Sequence, residues 1–325
     1  MLFSLIIPVY NRPDDLREVL DGLAAQTDPH FEVVVVESGS TVPARHVVEE
    51  FAHRLDVHYA PTGNHGQGFS RNHGMQQARG DYFIILDSDI IIPPHYIETV
   101  RQYLTINHLD AFGGPDRAHP SFTPVQKAVD FALTSYLTTG GTRGNQRQAA
   151  RYRPRSFNMG FSRTVYEATQ GFALPNCGED IELSIRIQKL GYRTGLIPGA
   201  YVYHKRKETL KGFYQQMVWF GKSRINLHRI EPGSLKAIHL IPLLFFAYLA
   251  ITLVLSVVSP PLGVALGGLL LVYAGAVLIA ATVRYRSLLV GGLSVATAFT
   301  VFVGYGYGLI KYHFLQREPY TPVAS

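Results

Sequence analysis

The chain has 325 residues, 47% of them hydrophobic, and a formal net charge of +6. Cys177 is its single cysteine, so no internal disulfide can form, which excludes a disulfide-stapled scaffold and agrees with a reducing compartment. A basic chain can bind nucleic acid or an anionic membrane surface, and three long apolar stretches after Lys236 favour the membrane lipids. We therefore expect no nucleic-acid partner.

Short apolar runs alternate with segments of helical periodicity, most clearly in the first 90 residues. Buried strands are predicted at 3–9, 31–36, 57–59, 82–86 and 199–203. Helices are predicted at 16–25, 44–53, 69–78 and 181–190. This alternation predicts an α/β domain with a doubly wound parallel sheet, whose ligands bind at the carboxyl ends of its strands. Residues 1–7 are too short and lack the basic flank of a signal peptide, so we interpret them as part of the first strand.

Two aspartates follow the strand at 82–86 with one residue between them. Asp87, Ser88 and Asp89 are thereby placed at the carboxyl end of a buried strand. Paired carboxylates at such a position suit a hard divalent cation, Mg²⁺ or Mn²⁺, that also holds substrate phosphates. Because turns are rich in aspartate, this pattern is weak alone and gains its weight from the motifs around it.

Short motifs accompany the two aspartates along the chain. They are Ile7–Arg12 (IPVYNR), Val36–Ser40 (VESGS), Asn64–Gly74 (NHGQGFSRNHG), Ala78–Tyr82 (ARGDY), Asn158–Phe161 (NMGF), Gly178–Leu183 (GEDIEL) and His204. With these motifs over about residues 3–225, the chain resembles an inverting GT-A glycosyltransferase of family two, which uses a nucleotide-sugar donor. The resemblance implies a Rossmann-like GT-A domain over residues 1–235. Glu37 and Ser38 depart from the family pattern, which usually has aspartate at the first position and often at the second, so the nucleotide base stays open.

The resemblance also implies a set of substrate-binding residues at the strand ends. They are Pro8, Tyr10, Asn11, Glu37, Gly66, Gly68, Arg71, Asp87, Ser88, Asn158 and Gly160. Among them, Glu37 is expected to accept a hydrogen bond from the base, and Arg71 to reach a phosphate or the base. The two early glycines would let the backbone approach a ligand closely. Two alternatives stay open: Tyr10 can simply pack in the core, and Arg71 can be solvated.

Metal-binding and acid–base roles follow from the same resemblance. It implies that Asp89 and Asp87 ligate the divalent cation, with His204 as a third ligand or a diphosphate contact. It also implies that Asp180 is the general base and Glu179 an acceptor-side or orienting carboxylate. Simpler interpretations are available, because a carboxylate at a helix start is often an ordinary N-cap and a lone histidine is more often structural.

Two basic regions bear on the acceptor and on the membrane. Between Asp130 and Glu167 the chain has no acidic residue but carries Arg143, Arg147, Arg151, Arg153 and Arg155. These arginines form either a solvated loop or a basic flap over the diphosphate or an anionic lipid headgroup. An apolar stripe at 207–229, beside lysines and arginines, predicts either an interfacial helix or a helix packed in the core.

Three apolar stretches without a charged residue cover 237–258, 262–283 and 288–310. At about 1.5 Å per residue, each is long enough to cross a hydrocarbon core of about 30 Å, so we predict a membrane domain over 236–325. Arg284 and Arg286 lie between the second and third stretches, and basic residues precede the first. The positive-inside rule then places the catalytic domain on the cytoplasmic side of the inner membrane, although Lys311 and Arg317 argue mildly against this.

These observations predict a membrane-anchored enzyme that moves a sugar, with inversion, from a nucleotide-diphosphate sugar to a hydroxyl acceptor. The expected acceptor is a lipid-linked glycan or a surface-polysaccharide precursor. One alternative is a polyprenyl-phosphate glycosyl synthase, whose acceptor oxygen needs little help from a base. Another is a catalytically silent nucleotide-sugar-binding assembly subunit. A processive polysaccharide synthase is disfavoured because residues 215–219 lack the arginine of its Gln-x-x-Arg-Trp signature.

Overall fold

The computed structural model describes residues 1–140 and 152–315, which fall into two compact units. The first unit contains Met1–His119 and 152–205, and the second contains 120–140 and 206–315. The strands in chain order are β1 (Phe3–Val9), β2 (Phe31–Ser38), β3 (Val57–Thr62), β4 (Tyr82–Leu86), β5 (Ile90–Ile91), β6 (Ala111–Gly113), β7 (Asp116–Arg117), β8 (Asn158–Ser162), β9 (Thr194–Leu196) and β10 (Val202–His204). The α-helices are α1 (Pro13–Ala24), α2 (Arg45–Phe51), α3 (Gln67–Gln77), α4 (Tyr96–Ile106), α5 (Pro124–Thr134), α6 (Tyr136–Thr139), α7 (Arg163–Thr169), α8 (Glu179–Lys189), α9 (Leu210–Ile230), α10 (Ile241–Val258), α11 (Pro260–Tyr285) and α12 (Leu288–Ile310).

The first unit is built around a seven-stranded sheet in the order β3-β2-β1-β4-β8-β6-β9. Strands β3, β2, β1 and β4 run parallel, as the alternation of the sequence predicts. Strand β8 is antiparallel to both β4 and β6, so the sheet is mixed and the expectation of a wholly parallel sheet is corrected. A parallel pair requires a crossover connection, whereas β8 follows α5 and α6 of the second unit.

Apolar side chains cover both faces of this sheet. Leu5 and Ile7 of β1 join the cluster formed with α1, α2 and α4, while Ile6 joins the cluster that includes Met75 of α3 and Leu183 of α8. Successive strand residues point to opposite faces, so a strand covered on both sides reads as a continuous apolar run. Polar groups are therefore concentrated at the strand ends, where the candidate site lies.

A three-stranded sheet in the order β5-β10-β7 completes the described sheets of the first unit. Strand β10 is antiparallel to β5, with His204 opposite Ile90. The Lys205 N–H also donates to the Asp89 carbonyl oxygen at 3.0 Å. This pairing holds His204 next to Asp89, although the two residues are far apart in the sequence.

Within the described residues of the second unit, three helices are long and apolar enough to cross a membrane by length and composition. They are Ala237–Val258, Pro260–Tyr285 and Leu288–Phe314, in agreement with the three predicted stretches. The apolar window of the third helix is 39% buried inside the protein, against 6% and 11% for the other two. Helix α12 is therefore the helix around which this unit packs.

Helix α9 packs directly on α12. Phe213 and Met217 of α9 share an apolar cluster with Val301 of α12. The two backbones approach so closely that a Cβ on Gly308 would lie 2.4 Å from the Val218 carbonyl oxygen. The apolar stripe of the predicted helix at 207–229 is thus used for core packing, which is one of the two interpretations that the sequence left open.

The division into units differs from the predicted domain boundary at 235. The second unit includes α9 and also α5 and α6, which the sequence analysis placed in the catalytic domain. The reason is that Val129, Phe131 and Leu133 of α5 bury their side chains against α9, α11 and α12. Because α5 is short and carries Lys127 and Asp130, a boundary drawn from charge does not detect it.

Candidate active site

Asp87, Asp89 and His204 meet in the first unit beyond the carboxyl end of β4 and form what we call the acidic cluster. Their ligand atoms all lie within 4.8 Å of one another, and Ser88 is buried between the two aspartates. His204 Nε2 is 3.3 Å from Asp89 Oδ1, while its buried Nδ1 has no hydrogen-bond partner among the described residues. Carboxylates suit Mg²⁺ and Mn²⁺, and imidazole is an acceptable further ligand for a transition metal. The donor set therefore fits the divalent cation that the sequence implies.

A cation of the protein itself also faces this cluster. Arg12 Nη1 donates to Asp89 Oδ2 and lies 3.8 Å from Asp15. Burial acts to raise the pKa of Asp89, but His204 and Arg12 outweigh it and hold the pKa well below its usual range. Asp89 is thus ionised at neutral pH, which is the state that ligates a metal. Arg12 was not predicted as a site residue, although it ends the Ile7–Arg12 motif.

Arg71 of α3 joins Asp87 to Glu179. Its Nη2 donates to Asp87 Oδ1 and its Nη1 to Glu179 Oε1, each at 3.0 Å. The side chain is fully buried, so two charge-assisted hydrogen bonds hold the guanidinium in one place. The alternative of a solvated arginine is excluded. Arg71 thus has an organising contact between two carboxylates, and its contact with a phosphate or the base stays a prediction.

A strained turn presents Glu179 and Asp180 at the start of α8. Cys177 and Gly178 have φ values of +66° and +100°, both in the left-handed region. This conformation costs a non-glycine residue about 1–3 kcal/mol. Both carboxylates lie in the first turn of α8, where unpaired N–H groups and the helix dipole favour negative charge. Helix α8 begins at Glu179, two residues before the predicted start at 181, and both side chains are buried.

The two neighbouring carboxylates have opposite electrostatic environments. Burial and the adjacent Asp180 raise the pKa of Glu179 in spite of Arg71. Burial acts in the same direction on Asp180, but Arg155 and Arg71 outweigh it and hold the pKa of Asp180 below its usual range. Such a separation of pKa values is typical of paired carboxylates with different roles. Asp180 is therefore the member that stays ionised and can accept a proton.

The loops after β1 and β2 carry the residues predicted to bind the nucleoside. Tyr10 is 48% exposed, so it does not pack in the core, and Pro8 beside it is half-buried. The Asn11 side-chain oxygen accepts from the N–H groups of Thr41 and Val42 at 2.8 and 3.0 Å. Asn11 therefore ties the two loops together, and Tyr10 offers an aromatic surface to a ligand.

Glu37 uses its carboxylate inside the protein. Its Oε2 accepts from the Ala44 N–H at 2.7 Å and from the Tyr59 hydroxyl at 3.3 Å, and its Oε1 accepts from Ser40. The side chain is buried. The extra methylene relative to aspartate allows the carboxylate to reach the start of α2. The carboxylate thus supports the loop from inside the protein, and its contact with the base stays a prediction.

Gly66 and Gly68 permit a close approach, but to the protein's own backbone. A Cβ on Gly68 would lie 2.0 Å from the Leu174 carbonyl oxygen, and one on Gly66 would lie 2.7 Å from that of Pro175. Gly66 also has φ +94°, which disfavours a side chain. These contacts seat the start of α3, and with it Arg71, against the loop that precedes α8, and the approach of a ligand to the two glycines stays a prediction.

Asn158 and Gly160 of β8 also serve the protein interior. The Asn158 side chain is fully buried, accepts from the Tyr96 hydroxyl at 2.6 Å and donates to the Ala200 carbonyl oxygen at 2.8 Å. A Cβ on Gly160 would lie 2.2 Å from the Phe112 ring. These contacts hold both residues in the protein interior, and their substrate contacts stay a prediction.

Two further residues at the site were not selected from the sequence. Arg155 Nε donates to Asp180 Oδ2 at 2.8 Å, and the Phe157 ring stacks on His204 with 5.2 Å between centroids. The basic run was a signal for Arg155, whereas no pattern pointed to Phe157. Three other arginines of that run lie outside the described residues, namely Arg143, Arg147 and Arg151.

Comparison with known proteins agrees with this geometry. The sequence profile of Glycosyl transferase family 2 matches residues 4–168, slightly more than half of the chain. Poly(ribitol-phosphate) beta-N-acetylglucosaminyltransferase TarS of Staphylococcus aureus is 34% identical over 114 residues, which are 34% of this chain and 20% of TarS. Glycosyltransferase GlyA of Streptococcus pneumoniae is 37% identical over 100 residues, which are 30% of this chain and 14% of GlyA. The chain spans a fifth or less of the length of these two relatives.

A solved structure shares the fold. The mannosyltransferase PcManGT from Pyrobaculum calidifontis, in complex with GDP-Man and Mn²⁺, superposes with a TM-score of 0.60 at 19% identity. The match covers 96% of this chain and 87% of PcManGT. The GT-A fold that the sequence predicts is confirmed.

Proposed function

The chain belongs to Glycosyl transferase family 2, and we propose that it moves a sugar, with inversion, from a nucleotide-diphosphate sugar to a hydroxyl of a membrane-linked acceptor. One observation carries this proposal: Arg71 joins Asp87 of the acidic cluster to Glu179, which is the neighbour of Asp180 at the start of α8. One end of this constellation can hold a diphosphate, and the other can take a proton from a hydroxyl. Glycosyl transfer from such a donor requires both.

The acidic cluster is proposed to bind the diphosphate of the donor. A Mg²⁺ or Mn²⁺ ion held by Asp87, Asp89 and His204 would neutralise the charge that develops on the leaving diphosphate. Arg12 keeps Asp89 ionised, and Phe157 fixes the plane of the His204 ring. Such supporting contacts orient ligands before the substrate arrives.

The nucleoside is proposed to lie over the ends of β1 and β2. The exposed Tyr10 ring can pack against a planar base. Pro8 and Asn11 shape the same loop, and Glu37 supports its neighbour from inside the protein. In this arrangement Asp87 would lie close to the sugar, between the nucleoside and the carboxylate of Asp180.

Asp180 is proposed as the general base. The proton of the acceptor hydroxyl moves to the Asp180 carboxylate while the acceptor oxygen bonds to the anomeric carbon. The bond from that carbon to the diphosphate oxygen breaks, and its electron pair stays on the diphosphate. Attack opposite the leaving group inverts the anomeric configuration. Glu179, fixed by Arg71, is proposed to orient the acceptor side.

The second unit is proposed to lie in the inner membrane, with the first unit on the cytoplasmic side. Asp130 accepts a hydrogen bond at 2.8 Å from Arg206, which follows β10 in the chain. It accepts another at 3.0 Å from Arg284, near the end of α11. These two basic positions are therefore neighbours. Because the positive-inside rule assigns basic connections to the cytoplasm, this contact supports the proposed orientation.

The acceptor is proposed to be a surface-polysaccharide or lipid-linked precursor. TarS is named for poly(ribitol phosphate), a polymer, and the complex of PcManGT contains a nucleotide sugar. The three candidate spans would keep the first unit at the membrane surface, where a lipid-linked acceptor is concentrated. Membrane lipids, a nucleotide-sugar donor and a glycan acceptor are therefore the proposed partners.

Donor hydrolysis by the full-length protein in detergent tests this function. The protein is incubated with UDP-, GDP- and dTDP-sugars, and release of nucleoside diphosphate is measured with Mn²⁺ and with EDTA. We expect one donor class to be hydrolysed with Mn²⁺ and hydrolysis to stop in EDTA. Unchanged hydrolysis in EDTA would contradict the metal assignment. Binding of a nucleotide sugar without any hydrolysis or transfer would favour the silent assembly subunit.

A further inference from the structure

We propose that Arg155 is a positioning residue for the general base: it fixes the Asp180 carboxylate and sets its proton affinity from the side open to the acceptor. This inference rests on the proposed function, because it takes Asp180 as the group that receives the acceptor proton. It adds a residue whose contact with the base the sequence pattern did not suggest.

The Asp180 carboxylate is held from two chain segments. Arg155 Nε and, at 3.4 Å, the Ser156 N–H donate to its Oδ2 from the segment before β8, and the Ile181 N–H donates to its Oδ1 at 2.8 Å from α8. Contacts on both oxygens fix the plane of the carboxylate. A base that is fixed in place needs no reorganisation when the acceptor hydroxyl arrives.

Arg155 lies on the open side of this ion pair. Its side chain is 34% exposed, whereas that of Asp180 is 11% exposed. Among the described residues, no acceptor meets the two terminal nitrogens of Arg155, while those of Arg71 each donate to a carboxylate. Arg155 can therefore keep its Nε hydrogen bond to Asp180 and still donate from a terminal nitrogen to an oxygen of the incoming acceptor.

The charges around Asp180 indicate what the removal of Arg155 would do. Arg155 approaches it from the segment before β8, Arg71 from α3, and Glu179 is the adjacent carboxylate on α8. Burial acts to raise the pKa of Asp180, and the two guanidiniums act to lower it. Without Arg155, only Arg71 and the backbone N–H groups would oppose burial, so the pKa of Asp180 would rise.

The pH profile of donor hydrolysis tests this inference. The full-length Arg155→Gln variant is compared with wild type for release of nucleoside diphosphate, with water as the acceptor. We expect the acidic limb to move to higher pH by about one unit, a tenfold change in proton affinity, with donor affinity unchanged. Arg155→Lys keeps the charge without the planar fork, so it should leave the limb in place and lower turnover.

Two outcomes of this profile would overturn the inference. An acidic limb that does not move in Arg155→Gln would show that the guanidinium does not act on the base. A tenfold or greater loss of donor affinity would place Arg155 on the diphosphate instead. If Asp180→Asn abolishes the limb but Arg155→Gln leaves it in place, only this inference fails. If Asp180→Asn keeps the limb, the proposed base fails as well.

Thermal unfolding provides a test that needs no activity. Wild type, Arg155→Gln, Asp180→Asn and the double variant are compared in detergent at about pH 3.5 and about pH 7.5. In wild type the lowered pKa of Asp180 contributes stability that is present at the higher pH and is lost as pH falls through that pKa, and Arg155→Gln removes much of this contribution. The Tm deficit should therefore be larger at the higher pH, and Asp180→Asn should restore part of it. A deficit equal at both pH values with additive variants would contradict the coupling.

Discussion

Asp130 in the second unit and Asp180 in the first are both buried carboxylates held by arginine, but they differ in how many donors surround them. Asp130 Oδ1 accepts from Arg206 at 2.8 and 3.2 Å, and its Oδ2 accepts from Arg284 at 3.0 Å and Tyr285 at 2.6 Å. Asp180 has one guanidinium and backbone N–H groups. A carboxylate saturated by charged donors holds helices together, whereas one with fewer charged donors can still accept a proton.

The same difference separates the two units as a whole. In the first unit Asp87 is bonded on one oxygen by Arg71, which leaves the other available to a ligand. In the second unit polar groups join helices: Thr297 donates to the Ala128 carbonyl oxygen at 3.0 Å, and Tyr273 to that of Leu137 at 3.0 Å. Polar groups therefore join helices in the second unit, whereas Asp87 in the first unit keeps one carboxylate oxygen without a partner among the described residues.

The largest effect is expected from removal of the three candidate spans. A chain that ends at Glu231 keeps every motif of the first unit but exposes Phe131 and Met217, which α11 and α12 cover. We expect it to aggregate without detergent, because a large exposed apolar patch drives association. Size-exclusion chromatography measures this, with the full-length protein in detergent as the control. A soluble monomer that binds nucleotide sugar would show that α5 and α9 fold without the spans.

A large loss of activity is expected from Asp89→Asn, which removes charge from the acidic cluster without changing size. Turnover should fall by about 10²–10³-fold, because stabilisation of the leaving diphosphate is lost. Calorimetry should show weaker Mn²⁺-dependent binding of nucleoside diphosphate. Asp56→Asn is the matched control, since Asp56 lies in another acidic group, where Arg79 donates to it at 2.6 Å. Equal activity of the two variants would contradict the metal site.

Asp130→Asn should destabilise the second unit and leave the chemistry of the first intact. Removal of one partner from a buried ion pair costs about 3–5 kcal/mol, because Arg206 stays buried without its carboxylate. Thermal unfolding in detergent should show a lower Tm, with donor affinity unchanged. Arg284→Gln should be milder, because that side chain is 43% exposed. A Tm equal to wild type in Asp130→Asn would contradict the structural role.

The smallest effect is expected at the contact between α9 and α12. In Gly308→Ala the new Cβ would lie 2.4 Å from the Val218 carbonyl oxygen, so the helices must separate. Overpacking of this kind costs about 1–3 kcal/mol. Gly275→Ala on α11 is the matched control, because nothing lies within 4 Å of its Cβ. The comparison is made by Tm in detergent, and equal values would mean that α9 does not pack tightly on α12.

Strong periodicity made part of the fold predictable. The sequence predicts β1 and β4 with their observed ends, and the three apolar helices within a few residues. It did not predict β6 or β7, because strands of two or three residues have no period of their own and form only where neighbours pair with them. Helix α5 was missed because its apolar residues face two different partners, which hides a single amphipathic face.

The carboxylates of the site were predictable, but their partners were not. Motifs marked Asp87, Asp89 and Asp180, yet the contact from Arg12 to Asp89 spans 77 positions in the sequence and follows from the sheet order. Gly68 permits a close approach, but sequence alone cannot show that the approaching group is the Leu174 carbonyl.

The Asp180 carboxylate is proposed to take the acceptor proton at a site whose donor-binding half is separate. Asp180→Asn in the full-length protein separates the two halves, because the amide keeps the size of the side chain but cannot accept the proton. Calorimetry with Mn²⁺ measures donor affinity, and release of nucleoside diphosphate measures turnover. We expect unchanged donor affinity with turnover lower by about 10²–10⁴-fold. Wild-type turnover, or loss of donor binding together with turnover, would contradict the role of Asp180 as the general base.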